Sequence, residues 1–86
     1  MSSKYEYVLG QHAINLLGTL SRSHREEVIQ FLQALADNPS EPREMIIRLS
    51  NERPLYVAAR AKWAFTYWLD HAAKEVRIVK IERTRG

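Results

Sequence analysis

Residues 56–70 read YVAARAKWAFTYWLD, and residues 76–83 read VRIVKIER. Aromatic and β-branched residues dominate both stretches, which is typical of β-strands. Phe65, Tyr67 and Leu69 follow one another at the two-residue spacing that places side chains on one face of a strand. The short polar segment between the two stretches suits a hairpin connection. We therefore predict an antiparallel meander of three strands, at about 54–60, 62–69 and 75–83.

Helix is the alternative for residues 55–64. Ala58, Ala59, Ala61 and Ala64 are good helix formers. The run Trp-Ala-Phe-Thr-Tyr-Trp that overlaps and follows them favours a strand, and we adopt that interpretation.

Two helices are predicted ahead of these strands. Residues 11–20 place apolar side chains at helical spacing. Ser23 and Glu26 have the spacing of a capping box, in which the serine hydroxyl accepts a hydrogen bond from the Glu26 amide and the carboxylate accepts one from the Ser23 amide. An apolar stripe follows, so we predict a second helix over about 24–36 that forms a helical hairpin with the first.

The remaining segments complete the predicted order of elements. Alternating side chains over residues 4–9 predict a short first strand, and the periodicity of residues 43–53 assigns them to neither helix nor strand. The predicted order is β-α-α-β-β-β. We expect an α+β fold in which an N-terminal strand and a helical hairpin pack on a mostly antiparallel sheet of three to four strands. With 86 residues and no linker, residues 1–86 are expected to form a single domain.

Composition excludes several classes of function. The chain has no cysteine, which rules out disulfides, thiolate metal sites and cysteine nucleophiles. Its three histidines, His12, His24 and His71, lie far apart in the sequence, and no glycine-rich phosphate loop is present. We expect neither a metal nor a cofactor. The longest uncharged stretch, residues 7–21, is too short and polar to span a bilayer, and no secretory signal is recognisable, so a cytoplasmic protein without membrane contact is expected.

Positive charge is concentrated in the predicted meander. Residues 1–53 carry six Lys or Arg and seven Asp or Glu, whereas residues 54–86 carry seven and three. This excess would attract a polyanion or an acidic partner. Lys80, Arg83 and Arg85 belong to the basic C-terminal run, but in a regular strand the basic side chains of residues 74–83 alternate between the two faces. A solvated strand and a phosphate-contacting surface therefore remain about equally favoured.

Three aromatic side chains of the meander are candidates for base stacking. Trp63, Tyr67 and Trp68 offer flat rings on which nucleic-acid bases stack. Packing in the core is the alternative, because aromatic residues at this spacing commonly face it. We favour the core for Tyr67, whereas the two alternatives are nearly balanced for Trp68.

The order and spacing of these elements resemble the RelE/ParE superfamily of toxins from type II toxin–antitoxin modules. The resemblance extends over nearly the whole chain. It rests on the helix that ends in Asp-Asn-Pro at residues 37–39, on residues 56–70, and on Val76 to Ile81 before a terminal arginine cluster. Residues 56–70 fit the family pattern Tyr-Arg-Ile-Arg-x-Gly-x-Tyr-Arg-x-x-Tyr-x-x-Asp without a gap.

The resemblance implies a mechanism and a set of site residues. RelE-like members are ribosome-dependent mRNA interferases: the ribose 2′-hydroxyl attacks the adjacent phosphate without a metal, and a basic sheet face stabilises the developing charge. Val57, Ala59 and Ala64 occupy positions where these nucleases commonly carry basic residues. The remaining candidates are catalytic Arg60, Arg83 and Arg85, and nucleic-acid-binding Lys62, Lys80, Arg83, Arg85 and Trp68.

The same resemblance leaves three activities open. The first is the mRNA interferase, an endoribonuclease. The second is a ParE-like inhibitor of DNA gyrase that acts by binding, for which the nuclease residues are not needed. The third is a non-toxic protein that retains the toxin fold as a binding partner. All three imply a cognate antitoxin protein as partner, and the first two add the ribosome with its mRNA or DNA gyrase.

Overall fold

In the part of the chain that the structure describes, five strands form one sheet and two helices pack against one face of it. The computed structural model describes residues 5–39, 45–47 and 54–84. In chain order the elements are β1 (Glu6–Leu9), α1 (Gln11–Thr19), α2 (Arg22–Asp37), β2 (Met45–Ile47), β3 (Leu55–Arg60), β4 (Trp63–Asp70) and β5 (Glu75–Arg83). Across the sheet the strand order is β1-β5-β4-β3-β2. β1 runs parallel to β5, and every other pair is antiparallel.

The predicted α+β architecture and the β3–β4–β5 meander are confirmed. Among the described residues the sheet has five strands rather than three or four, because Met45–Ile47 pairs with β3 at one edge. This short strand lies in the segment 43–53 that periodicity left unassigned, and the rest of that segment lies outside the described residues.

The helical hairpin is confirmed, but the predicted capping box at Ser23 is wrong. The hydroxyl of Ser21 accepts a hydrogen bond from the His24 amide at 3.3 Å, and the Ser21 carbonyl accepts one from the Arg25 amide at 2.9 Å. These bonds start α2 at Arg22, so Ser23 lies within the first turn of the helix and does not cap it.

One apolar cluster lies between α2 and the sheet. Phe31 of α2 packs against Phe65 of β4, with 4.4 Å between the ring centroids. Burial of large apolar side chains of this kind is the main favourable term in folding. The buried members that complete this core are Ala13, Val28, Leu32, Leu35, Ala58, Trp63, Tyr67, Val76, Ile78 and Ile81.

Two tight turns join the strands of the meander. Ala61 and Lys62 connect β3 to β4, and Ala61 has a φ of 56°, in the left-handed region that favours glycine. In the β4–β5 turn, a carboxylate oxygen of Asp70 accepts a hydrogen bond from the Ala73 amide at 3.1 Å. Lys74, with a φ of 57°, ends this second turn. The predicted hairpin connection is therefore confirmed.

Candidate functional site

The face of the sheet turned away from the helices, called the open face below, carries a mixture of charged and small side chains. Strand alternation and register define it, because residues that pair across strands point to the same face. Thr66 pairs with Val57 on one side and with Lys80 on the other. In the meander the open face is formed by Leu55, Val57 and Ala59 of β3, Ala64, Thr66, Trp68 and Asp70 of β4, and Glu75, Arg77, Lys80 and Glu82 of β5.

A β-bulge at Val79 determines which basic residues of β5 reach the open face. Tyr67 pairs with Ile78 and Thr66 pairs with Lys80, so Val79 is the extra residue on β5. The bulge shifts the alternation by one residue. Arg77 and Lys80 therefore share the open face, which corrects the expectation of regular alternation along residues 74–83. Val79 itself is exposed.

Arg77 is the centre of a charged network on this face. Its Nη2 lies 2.8 Å from Oε1 of Glu75, and its Nε lies 3.9 Å from Oδ2 of Asp70. The guanidinium carbon lies 5.6 Å from the ring centroid of Trp68. Two carboxylates and an aromatic ring thus surround the guanidinium beside Trp68, and their electrostatic attraction favours this position for the cation.

Lys80 lies further along β5 on the same face. Its Nζ is 3.3 Å from Oε2 of Glu82, and 43% of the Lys80 side chain is exposed. Three open-face residues of β3 and β4 are aliphatic: Val57, Ala59 and Ala64. The open face therefore presents two ion-paired cations and one half-buried indole around a small, smooth centre.

Arg60 and Arg83 lie on the helix-facing side of the sheet, at its end beside the β3–β4 turn. Both pair with Trp63, so the three residues form a row across three strands. The guanidinium carbon of Arg60 is 5.0 Å from the ring centroid of Phe31, and that of Arg83 is 5.5 Å from the ring centroid of Trp63. Each guanidinium is thus held against a buried ring.

Lys62 belongs to the same end of the molecule, and we call Arg60, Lys62 and Arg83 the rim cluster. The Lys62 ammonium lies 3.2 Å from Nε2 of His24. The Lys62 carbonyl accepts a hydrogen bond from the Thr84 amide at 2.7 Å, which ties the turn to the end of β5. Beneath the cluster, the Trp63 indole N–H donates to Oε1 of Glu27 at 2.9 Å.

The structure divides the predicted site residues between these two surfaces. Lys80 and Trp68 lie on the open face, whereas Arg60, Lys62 and Arg83 form the rim cluster. Arg60 and Arg83 do not share a face with Lys80. Arg85 lies outside the described residues. Tyr67 and Trp63 are core residues, which leaves Trp68 as the aromatic residue of the three on the open face.

Arg77 is the open-face residue that the candidate set omitted. It stands in the middle of the basic run of β5, but no local pattern in the sequence distinguishes it from its neighbours. The signal that finds it is the cross-strand pairing with Trp68, together with the bulge two residues later. Both depend on contacts between residues distant in the chain.

Two other kinds of site are absent from the described residues: a metal site and a membrane-spanning helix. Within 5–39, 45–47 and 54–84, no group of three or more His, Cys, Asp or Glu side chains is arranged to hold a metal ion. The helices in the described part of the chain are too short or too polar to cross a membrane.

Comparison with solved structures identifies the fold. A RelBE2 toxin–antitoxin complex from Mycobacterium tuberculosis contains a chain of the same fold, with a TM-score of 0.79 and 18% identity over 93% of this chain and 91% of that one. The chain has the fold of the RelE toxins. An archaeal RelE–RelB complex from Pyrococcus horikoshii is similar at a TM-score of 0.73 and 18% identity, over 94% of this chain and 96% of that one.

A third solved structure with a similar fold is that of a toxin without its partner. The isolated RelE toxin of E. coli is similar at a TM-score of 0.73 and 13% identity, over 95% of this chain and 86% of that one. No protein-family model and no curated protein sequence matches the chain. The relationship is thus visible in the backbone, and this chain's own side chains must carry any argument about activity.

Proposed function

We propose that the protein is the toxin component of a type II toxin–antitoxin module and is neutralised by a cognate antitoxin. The observation that carries this proposal is the RelE-like fold, matched over 93% of the chain by a protein from a toxin–antitoxin complex. The cationic side chains of the meander support it, since an antitoxin segment with acidic residues would be attracted to them. A neighbouring gene for a small acidic protein would add support.

We propose further that the toxin acts as a metal-independent, ribosome-dependent mRNA interferase, and that the open face binds the mRNA. In this reaction the ribose 2′-oxygen loses its proton and bonds to the adjacent phosphorus, while the bond to the 5′-oxygen breaks and that oxygen gains a proton. Arg77 and Lys80 would stabilise the negative charge on the phosphate, and Trp68 would stack on a base. Cytoplasmic mRNA on the ribosome is the proposed substrate.

The Lys80–Glu82 pair supplies the groups for proton transfer in this proposal. The ammonium and the carboxylate lie 3.3 Å apart and are both partly exposed. Glu82 is suited to accept the proton of the 2′-hydroxyl, and Lys80 to donate to the leaving oxygen. Arg60 and Arg83 face the helix side of the sheet, so the proposed chemistry on the open face does not use them.

Inhibition of DNA gyrase by binding is the second candidate function. The aliphatic centre of the open face favours it, because Val57, Ala59 and Ala64 provide a smooth contact surface and no charge for catalysis. A binding inhibitor needs complementarity with its target and no proton transfer. The two candidates therefore differ in whether Lys80 and Glu82 must both be ionisable.

Induction of the full chain in cells tests these proposals. The interferase proposal expects early arrest of translation and mRNA cut within codons, whereas gyrase inhibition expects DNA damage and filamentation. Lys80→Gln should relieve the growth arrest, and Arg22→Gln on the exposed side of α2 is the matched control. Normal growth with the unaltered chain at high expression would contradict both toxic activities and leave a protein that serves as a binding partner.

A further inference from the structure

We propose that the rim cluster, Arg60, Lys62 and Arg83, is a second RNA-binding surface, which holds the phosphates of an RNA outside the open face. The proposal rests on the proposed RNA-directed function and adds a docking surface to it. The rim cluster would raise the affinity for the RNA backbone and would take no part in the cleavage step. The two surfaces lie on opposite faces of the same sheet, so one RNA segment on the open face does not occupy both.

The state of the charges distinguishes the two surfaces. Both cations of the open face are in ion pairs: Arg77 with Glu75, and Lys80 with Glu82. The three rim cations form no ion pair with any residue that the structure describes. Unneutralised cations attract phosphates more strongly than cations whose charge a carboxylate already balances.

Each rim arginine lies against an aromatic ring. Arg60 and Arg83 are both paired with Trp63, so their Cα atoms are separated by two strand spacings, about 10 Å. Each guanidinium lies against an aromatic ring, which restricts it while leaving the N–H groups along its edge for an anion. Such positioning lowers the entropy lost when a phosphate binds.

Lys62 completes the surface between strand and helix. Its ammonium lies 3.2 Å from a ring nitrogen of His24 on α2. The hydrogen bond from Thr84 to the Lys62 carbonyl holds the turn close to Arg83. Three cations from β3, the turn and β5 are therefore brought to one end of the sheet.

The chemistry of the rim fits a phosphate backbone better than an acidic protein segment. Protein interfaces are organised around apolar anchors that a partner can contact. At the rim the rings of Phe31 and Trp63 are buried, with 6% and 2% exposure, and the guanidiniums lie over them. The surface therefore offers charge rather than apolar area, which suits sequence-independent contacts to phosphates.

Salt-dependent binding to RNA tests the proposal. The purified full chain is titrated with a fluorescein-labelled single-stranded 20-nucleotide RNA at several salt concentrations. Each lost phosphate contact lowers the slope of log K against log salt by about 0.7. Lys62→Gln/Arg83→Gln should therefore lower it by about 1.4 and weaken binding roughly 10- to 30-fold at 0.1 M salt. Arg22→Gln/Lys74→Gln removes the same charge elsewhere and should leave the slope unchanged.

Two further measurements make the outcome decisive. The charge-preserving variant Lys62→Arg/Arg83→Lys should keep the slope of the unaltered chain, and thermal unfolding checks that every variant is folded. Equal slopes for the rim variant and the control would overturn the proposal. A rim variant that binds RNA as the unaltered chain does, but has lost affinity for a polyglutamate peptide, would also overturn it. A rim-dependent slope in a chain that does not arrest growth would overturn the toxin function and leave the RNA surface intact.

Discussion

The open face and the rim cluster both present cations from the meander, but the two surfaces differ in how those cations are paired. On the open face, Arg77 and Lys80 are each paired with a carboxylate on the same strand. At the rim, Arg60 and Arg83 lie against buried rings and form no ion pair with the residues that the structure describes. The comparison teaches that net charge locates the basic region, whereas ion pairing decides which part of it attracts a polyanion and which part is organised for chemistry.

The two tryptophans give the largest expected difference between the surfaces. Trp63→Ala removes a buried indole and the hydrogen bond to Glu27, and should lower the free energy of unfolding by about 3–5 kcal/mol. Trp68→Ala removes a half-buried ring from the open face and should cost less, about 1–2 kcal/mol. Chemical denaturation measures both values. Equal losses of stability would contradict the assignment of Trp63 to the core and of Trp68 to the partly exposed open face.

Release of Lys80 from its ion pair should make the open face behave more like the rim. Glu82→Gln removes the carboxylate 3.3 Å from the Lys80 ammonium. A single exposed pair is worth about 0.2–1 kcal/mol, so RNA affinity at low salt should rise about two- to threefold. The matched control is Glu26→Gln, which frees Arg22 on α2. An equal rise in the control would mean that overall charge, and not its place on the sheet, controls affinity.

The turn that carries Lys62 gives the smallest expected effect. Ala61 has a φ of 56°, so Ala61→Gly should relieve backbone strain and raise the free energy of unfolding by about 0.5 kcal/mol. The control Ala59→Gly lies two residues earlier in the extended backbone of β3 and should lower stability by about 0.5–1 kcal/mol. Thermal or chemical denaturation separates the two signs. Destabilisation by both glycines would contradict a strained turn.

Local patterns in the sequence predict much of this fold. The two-residue spacing of Phe65, Tyr67 and Leu69 predicts β4, and helical spacing predicts both helices. Ser21 and Ser23 both stand near the start of α2, and the wrong cap was predicted because either hydroxyl has an amide three residues later to accept from.

The division of the site into two surfaces could not be predicted in the same way. It depends on the bulge at Val79. Ile78 and Lys80 pair with adjacent residues of β4, so Val79 between them has no partner in the β4–β5 register. Nothing in the local sequence marks Val79 as the extra residue. A shift of one residue exchanges the faces of a strand, so Arg83 moved to the rim and Lys80 to the open face together.

Single-turnover cleavage of mRNA bound to purified ribosomes tests the central claim most directly. At saturating protein, Lys80→Gln should lower the cleavage rate by about 100-fold, since it removes a group that stabilises the transition state. Lys62→Gln/Arg83→Gln should leave the saturated rate within about twofold and raise the protein concentration that gives half the rate roughly tenfold. A rim variant that loses the saturated rate while Lys80→Gln keeps it would contradict the assignment of chemistry to the open face and docking to the rim.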